Sequence, residues 1–288
     1  MENRIAWIPS RLISILLISL LLQIKIISQE TIQQSDTVTI HYDRFAFVTC
    51  GTAGIITTAH LQSYNSWWKN ERSAFRIHDE GGYALGADKL GHFYFSNLTS
   101  DILGRSYEWA GVENSFLIGA CIAFAFELYV EIEDGFTKKL GFSPGDFGAD
   151  VVGAAYPYLR NKYSWINDFD FKLSVYPSAN YRNGMYRTII DDYESIYYWL
   201  SFDRNLFPDM LNKVMPEFIT FAIGYGVKNI VNFGAGKSEL FISFDYDFEK
   251  LPGDGSFIRS VKHILNYIHF PAPAIRLTPS VIFYGLKF

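Results

Sequence analysis

Three polar clusters interrupt otherwise apolar helical sequence, and they limit what this chain can fold into. They are Asp88-Lys89-Leu90-Gly91-His92-Phe93, then Glu127 with Glu131, then Ser143-Pro144-Gly145-Asp146 running on to Asp150. A carboxylate or an imidazole is costly to bury unless it is paired, hydrogen-bonded or bound to metal. Three such clusters within one helical region are therefore expected to meet, either as a site or as a polar network that locks helices together.

The spacing within each cluster supports this. Asp88 and His92 are four residues apart and share a helix face, as do Glu127 with Glu131 and Asp146 with Asp150. Carboxylates and imidazole projected from facing helices are how metal sites in bundle cores are built. The same groups suit acid–base chemistry when burial shifts their pKa values. On that reading His92, Asp88 and Asp150 are the candidate catalytic residues, and Lys89, Glu127 and Asp146 the candidate binding residues. The simplest reading is a buried network in which Lys89 neutralises one or two acids. It ranks ahead of catalysis, with metal binding third, because a cation at Lys89 opposes a second cation. Asp146 also suits the positive end of a helix dipole, and Glu131, Glu133 and Asp134 read equally well as a solvated helix end. The sequence names no cofactor and leaves the metal question open.

Periodicity divides the chain. From Phe45 to about Lys162 it reads as four helices, over Phe45–Ser63, Asp88–Arg105, Glu113–Glu131, and from an N-cap at Ser143 with Pro144 in the first turn to about Tyr156-Pro157. The stretch from Phe116 to Phe126 has no polar residue, so that helix is buried or faces lipid. After Trp165 the pattern alternates. Phe169, Phe171, Leu173 and Val175 alternate with polar residues. Phe218–Tyr225, Leu240–Phe248 and the last nine residues repeat the strand pattern. Phe257, Val261, Leu265 and Ile268 mark one amphipathic helix among them. The expectation is an α+β fold, a helical domain over 45–163 followed by a small antiparallel β region over 164–288. Phe288, with apolar residues at every second position before it, resembles the C-terminal signal of outer-membrane β-barrels. Four or five strands fall short of the eight that such a barrel needs.

Residues 1–28 read as a signal peptide, with Arg4 and Arg11 before an apolar run from Leu12 to Ile24. An uncleaved anchor is the alternative, and residues 29–44 form a polar lead-in. Removing Arg4, Arg11, Lys25 and Glu2 would take the net charge from −5 to −7. That acidity argues against a nucleic-acid partner. Aromatic residues make up 17% of the chain, a richness that suits a membrane interface or an ordinary β core equally. Cys50 and Cys121 could pair in an exported protein or remain as buried thiols. Gly234-Ala235-Gly236-Lys237-Ser238 lacks the first glycine of a phosphate loop and is expected in a hairpin. His41, His60, His78, His263 and His269 have no partner at zinc-ligand spacing.

The ordered set Asp88-Lys89-Leu90-Gly91-His92-Phe93, Phe126-Glu127-Leu128-Tyr129, Gly141-Phe142-Ser143, Asp146, Asp150 and Gly153 resembles the YfiM-like family, described as predicted periplasmic lipoproteins of unknown function. Its order is also similar to that of VanZ-like membrane proteins. The resemblance covers about residues 84–157 and carries over Asp88, Lys89, His92, Glu127, Asp146 and Asp150. The family's acid three residues after the central Glu is Val130 here, and the lipobox cysteine is missing. The resemblance implies a cell-envelope location but no established reaction. Together these readings describe an exported, membrane-associated protein of the periplasm or the periplasmic face of the outer membrane. Its expected partner is a membrane lipid or envelope component, and the rival reading is an envelope hydrolase acting on lipid or glycan. Oligomeric state is not legible.

Overall fold

The structure, a computed structural model, describes residues 39–78, 82–186, 188–208, 213, 215–231 and 234–288. The signal peptide read at residues 1–28 lies outside the described residues, as does most of the lead-in. The fold is α+β as expected: helices dominate the first half, and a six-stranded antiparallel sheet follows.

Helix α1 spans Tyr42–Ser63 and runs into a π-helical turn over Tyr64–Trp68. It starts three residues before the expected Phe45, where the His41 amide donates to the Ala110 carbonyl at 2.9 Å. Helix α2 spans Ala87–Trp109 and follows Gly86, whose φ of 84° lies in the left-handed region that glycine tolerates. Helix α3 spans Ser115–Gly135, and α4 spans Pro144–Lys162. The Ser143 hydroxyl accepts from the Asp146 amide at 3.3 Å, the cap that the sequence implies.

Helix α4 does not stop at Pro157. A proline inside a helix forfeits one amide bond and crowds the preceding turn. Here tertiary anchors hold the last turn. The Tyr156 hydroxyl donates to the Phe169 carbonyl at 2.8 Å, and Arg160 pairs with Asp170 at 2.7 Å. These contacts tie the end of α4 to the start of the sheet.

Helices α2, α3 and α4 pack closely because small residues face each other. A Cβ on Gly119 would stand 2.6 Å from the Ser100 carbonyl oxygen, and one on Gly153 would clash with the Phe93 carbonyl. The three helices therefore approach at nearly backbone distance, and this brings polar groups on their inner faces into reach of one another.

The sheet is a simple meander in the order β1 to β6: Phe169–Val175, Ile196–Phe202, Ile219–Val231, Ala235–Tyr246, Ala272–Thr278 and Ile282–Lys287. Two strands escape the alternation rule. Strand β2 is mostly buried along its whole length, so its sequence Ile-Tyr-Tyr-Trp-Leu-Ser-Phe shows no polar face. Strand β5 contains Pro273, which sits where the pairing with β6 shifts register between Ala272 and Ala274, a place where a strand tolerates proline. The Gly234–Ser238 segment forms the turn into β4 and the beginning of that strand, as the hairpin reading requires. Helix α5 spans Ser256–Leu265. It ends before Ile268, which bridges Leu173 of β1 instead.

One apolar core joins the two halves. Ala87 and Tyr94 of α2 pack with Ile196 and Tyr198 of β2, Val227 of β3 and Tyr267. The Tyr94 hydroxyl donates to the Tyr267 carbonyl at 2.6 Å. A second core, with Val48, Leu103, Tyr107, Ile118 and Ile122, joins α1, α2 and α3. Cys50 and Cys121 are both free and exposed, which corrects the expectation that they pair or are buried.

Candidate functional site

The three polar clusters do meet. Asp88, Lys89 and His92 lie on the first turns of α2, Glu127 and Glu131 on α3, and Asp146 and Asp150 on α4. The Lys89 ammonium is shared by two acids, at 2.6 Å from Asp88 Oδ2 and 2.6 Å from Asp146 Oδ1. His92 Nδ1 stands 3.2 Å from Asp150 Oδ1, while its Nε2 faces Asp146 Oδ1 at 3.9 Å. The three aspartates are buried. The His92 side chain keeps 24% of its surface exposed and Lys89 18%, so solvent reaches the cluster at these two cations.

Neighbours outside the sequence-expected set complete the shell. The Ser96 hydroxyl, one turn beyond His92, donates to Asp150 Oδ1 at 3.0 Å. The Tyr193 hydroxyl reaches Asp88 Oδ1 at 2.5 Å from just before β2. Ser96 could have been found from its i,i+4 spacing to His92. Tyr193 lies 105 residues from Asp88, and no local pattern points to it.

The electrostatics follow from burial and charge together. Burial alone would lower the His92 pKa, but the hydrogen bond and charge of Asp150, with Asp146 and Asp88, raise it to about 10. The imidazole is therefore a cation at neutral pH. Burial would raise the Asp88 carboxyl, but His92, Lys89 and the Tyr193 hydroxyl hold it below its ordinary range. Asp146 goes the other way, pushed up by burial that His92 and Lys89 do not fully offset. Glu127 is pushed up to about 8 by burial and then by the Asp150 charge, although His92 opposes the rise.

Two groups of donors could each hold a cation. One ligand atom each from His92, Glu127 and Asp150 lies within 4.8 Å of the others, and so does one each from Asp88, His92 and Asp146. The groups differ in one respect. Lys89 bridges Asp88 and Asp146, so its ammonium already supplies positive charge at the second group. The donor types of the first suit a metal of mixed nitrogen and oxygen preference.

The end of α3 is not solvated, contrary to expectation. Glu131 is buried and accepts the Ser143 amide at 2.9 Å, so it caps the loop before α4. Burial, the first of its influences, pushes its carboxyl up to about 8. Glu133 is buried and pairs with Arg72 at 2.5 Å, and Asp134 accepts the Trp68 indole N–H at 2.5 Å.

Two histidines without sequence partners find acids through the fold. His263 on α5 lies between Asp101 of α2 at 2.5 Å and Glu249 at 2.6 Å. This trio borders a polar cavity of about 590 Å³, also lined by Arg105, Arg160 and Asp170. His269 pairs with Asp245 at 3.0 Å and stacks on Trp199 at 3.8 Å, and Lys172 reaches the same carboxylate at 2.8 Å. His60 accepts or donates a hydrogen bond with the Tyr129 hydroxyl at 2.7 Å.

Residues 77–162 match the family described as "Predicted periplasmic lipoprotein (DUF2279)". The matched stretch contains α2, α3 and α4 and all six sequence-expected site residues. The description accords with the exported, periplasmic location expected from the sequence. No curated protein and no solved structure matches the chain.

Proposed function

We propose that this is an exported, membrane-associated envelope protein in which Asp88, Lys89, His92, Asp146 and Asp150 form an ion network that ties α2 to α4, with Glu127 of α3 set against it. The reading of the network rests on one observation: each cation is shared. Lys89 stands between Asp88 and Asp146, and His92 between Asp150 and Asp146. Two shared cations thus stand among three aspartates, and Glu127, pushed up to about 8, holds its proton through much of the neutral range. Such a network is self-sufficient, and the exposed edge of His92 offers a small polar or anionic ligand one charged donor. The motif order resembling YfiM-like and VanZ-like proteins, and the matched family's description, support the envelope location without adding a reaction.

A double-mutant cycle of His92→Gln and Asp150→Asn, read by melting, tests the network. Removing one partner of a buried pair typically costs about 3–5 kcal/mol. The two changes should therefore be strongly non-additive. Additive, sub-kilocalorie effects would contradict it.

A second reading is an envelope hydrolase acting on lipid or glycan, with His92, Glu127 and Asp150 as ligands in its metal-dependent form. It is favoured by the convergence of those three donor atoms. On this reading His92 is base or ligand, Asp88 and Asp150 orient it, and Glu127 is a second acid. The two readings part at folding. A catalytic cluster would tolerate His92→Gln in stability while losing turnover.

A further inference from the structure

The two faces of the sheet differ in chemistry. In an antiparallel sheet with one wet face, apolar side chains point to the protein and polar ones to water. Here the face turned away from α2 carries Lys172, Ser174, Ser201, Thr220, Glu239, Ser243 and Asp245, all buried beside the apolar cluster of Tyr197, Trp199, Ala222 and Phe241. Its charges are paired within the sheet, Lys172 with Asp245 and Arg276 with Glu239.

The opposite face carries an apolar row drawn from every strand. Phe171 pairs with Leu200, Leu200 with Ile223, Ile223 with Ile242, Ile242 with Ile275, and Ile275 with Phe283. Helix α2 covers the β1 end of this row, where Phe93 packs on Phe171 at 4.5 Å. From Ile223 to Phe283 the row is exposed, and Phe283 keeps 73% of its surface open.

Helix α5 opens an apolar side as well. His263 turns inward to Asp101 and Glu249, and Lys262 to the Leu251 and Gly253 carbonyls at 2.8 and 2.9 Å, while Ser256, Arg259 and Ser260 are exposed. Phe257, Ile258, Val261 and Ile264 are exposed, with Phe257 at 79%.

We infer that the outer face of the sheet and the outer side of α5 rest in lipid hydrocarbon. The sheet buries its ion pairs on one side and leaves its apolar row open beyond α2 on the other, which is the pattern of strands facing a bilayer, and α5 opens Phe257, Val261 and Ile264 as well. A single docking partner would account for a patch. It would not account for Tyr42, Phe47, Ile55 and Leu61 of α1, which are exposed as well. The sheet is an open meander of six strands, and an open edge cannot cross hydrocarbon unpaired. The seat is therefore a shallow one, in one leaflet. This deepens the membrane association proposed above and rests on it.

The test uses the full chain, purified in detergent and transferred to vesicles of phosphatidylethanolamine and phosphatidylglycerol brominated along the acyl chains. In Phe283→Trp the added emission, taken as the difference from the parent chain, should be quenched by these vesicles and shielded from aqueous iodide. Phe257→Lys with Phe283→Lys should lower vesicle partition on the order of tenfold, with the melting temperature of the detergent-held protein unchanged. An added tryptophan open to iodide on vesicle-bound protein would overturn the inference while leaving membrane association in place. Failure of the full chain to bind vesicles at all would remove both. A lipid-free dimer that shields the same tryptophan would overturn it in favour of a second copy.

Discussion

The cluster turns on His92. It is a cation because Asp150 bonds it and Asp146 and Asp88 surround it, and this reverses the effect of burial. The sign of its linkage to stability follows. Its folded pKa of about 10 lies above the ordinary 6.5, so its contribution is full below pH 6.5 and is lost as pH rises towards 10. Glu127 acts in the same sense. With its folded pKa at about 8 rather than 4.5, the folded chain keeps a proton that the unfolded chain releases, and stability falls across that interval. The gap in melting temperature between the parent chain and His92→Gln should therefore be widest near pH 6 and close towards pH 10. A gap that grows with pH would show that His92 is held neutral. The residues at this centre were legible because ionisable groups in apolar sequence are conspicuous and fall four apart. Tyr193 was not, because its approach to Asp88 depends on how the loop before β2 crosses α2.

At the scale of elements, glycine decides how near the acids come to one another. Gly119 meets the Ser100 carbonyl and Gly104, so Gly119→Leu should separate α2 from α3 and cost about 1–3 kcal/mol through overpacking. Thermal melting checks it, and an unchanged melting temperature would contradict so close a contact. The four helices were legible from caps and periodicity, although α4 outran its proline because Tyr156 and Arg160 anchor the turn beyond it. Strands β2 and β5 were hidden for opposite reasons. The first is buried on both faces and so lacks alternation, and the second carries a proline absorbed by a bulge. Glu131 was placed in a cluster, but its contact was not legible, because nothing local reveals that the Ser143 amide turns back to meet it.

At the scale of the molecule, the helical half and the sheet are coupled at several points, among them the core around Tyr94 and Tyr198 and His263 held between Asp101 and Glu249. Asp101→Asn should loosen α5 from α2, which hydrogen exchange would read as faster exchange confined to residues 256–265. Uniform protection would contradict that coupling. The α+β order was legible in the switch of period after Trp165, whereas which face of the sheet α2 would cover was not. Alternation says that a strand has two faces; only the packing says which is inside.

The central claim is that the six-residue cluster is a self-sufficient ion network. Elemental analysis of the purified parent chain beside His92→Ala, with melting curves for both, tests it most directly. The account predicts no stoichiometric metal in either protein and a lower melting temperature in the variant. One equivalent of metal in the parent chain, lost in His92→Ala, would contradict it and make His92, Glu127 and Asp150 a metal centre.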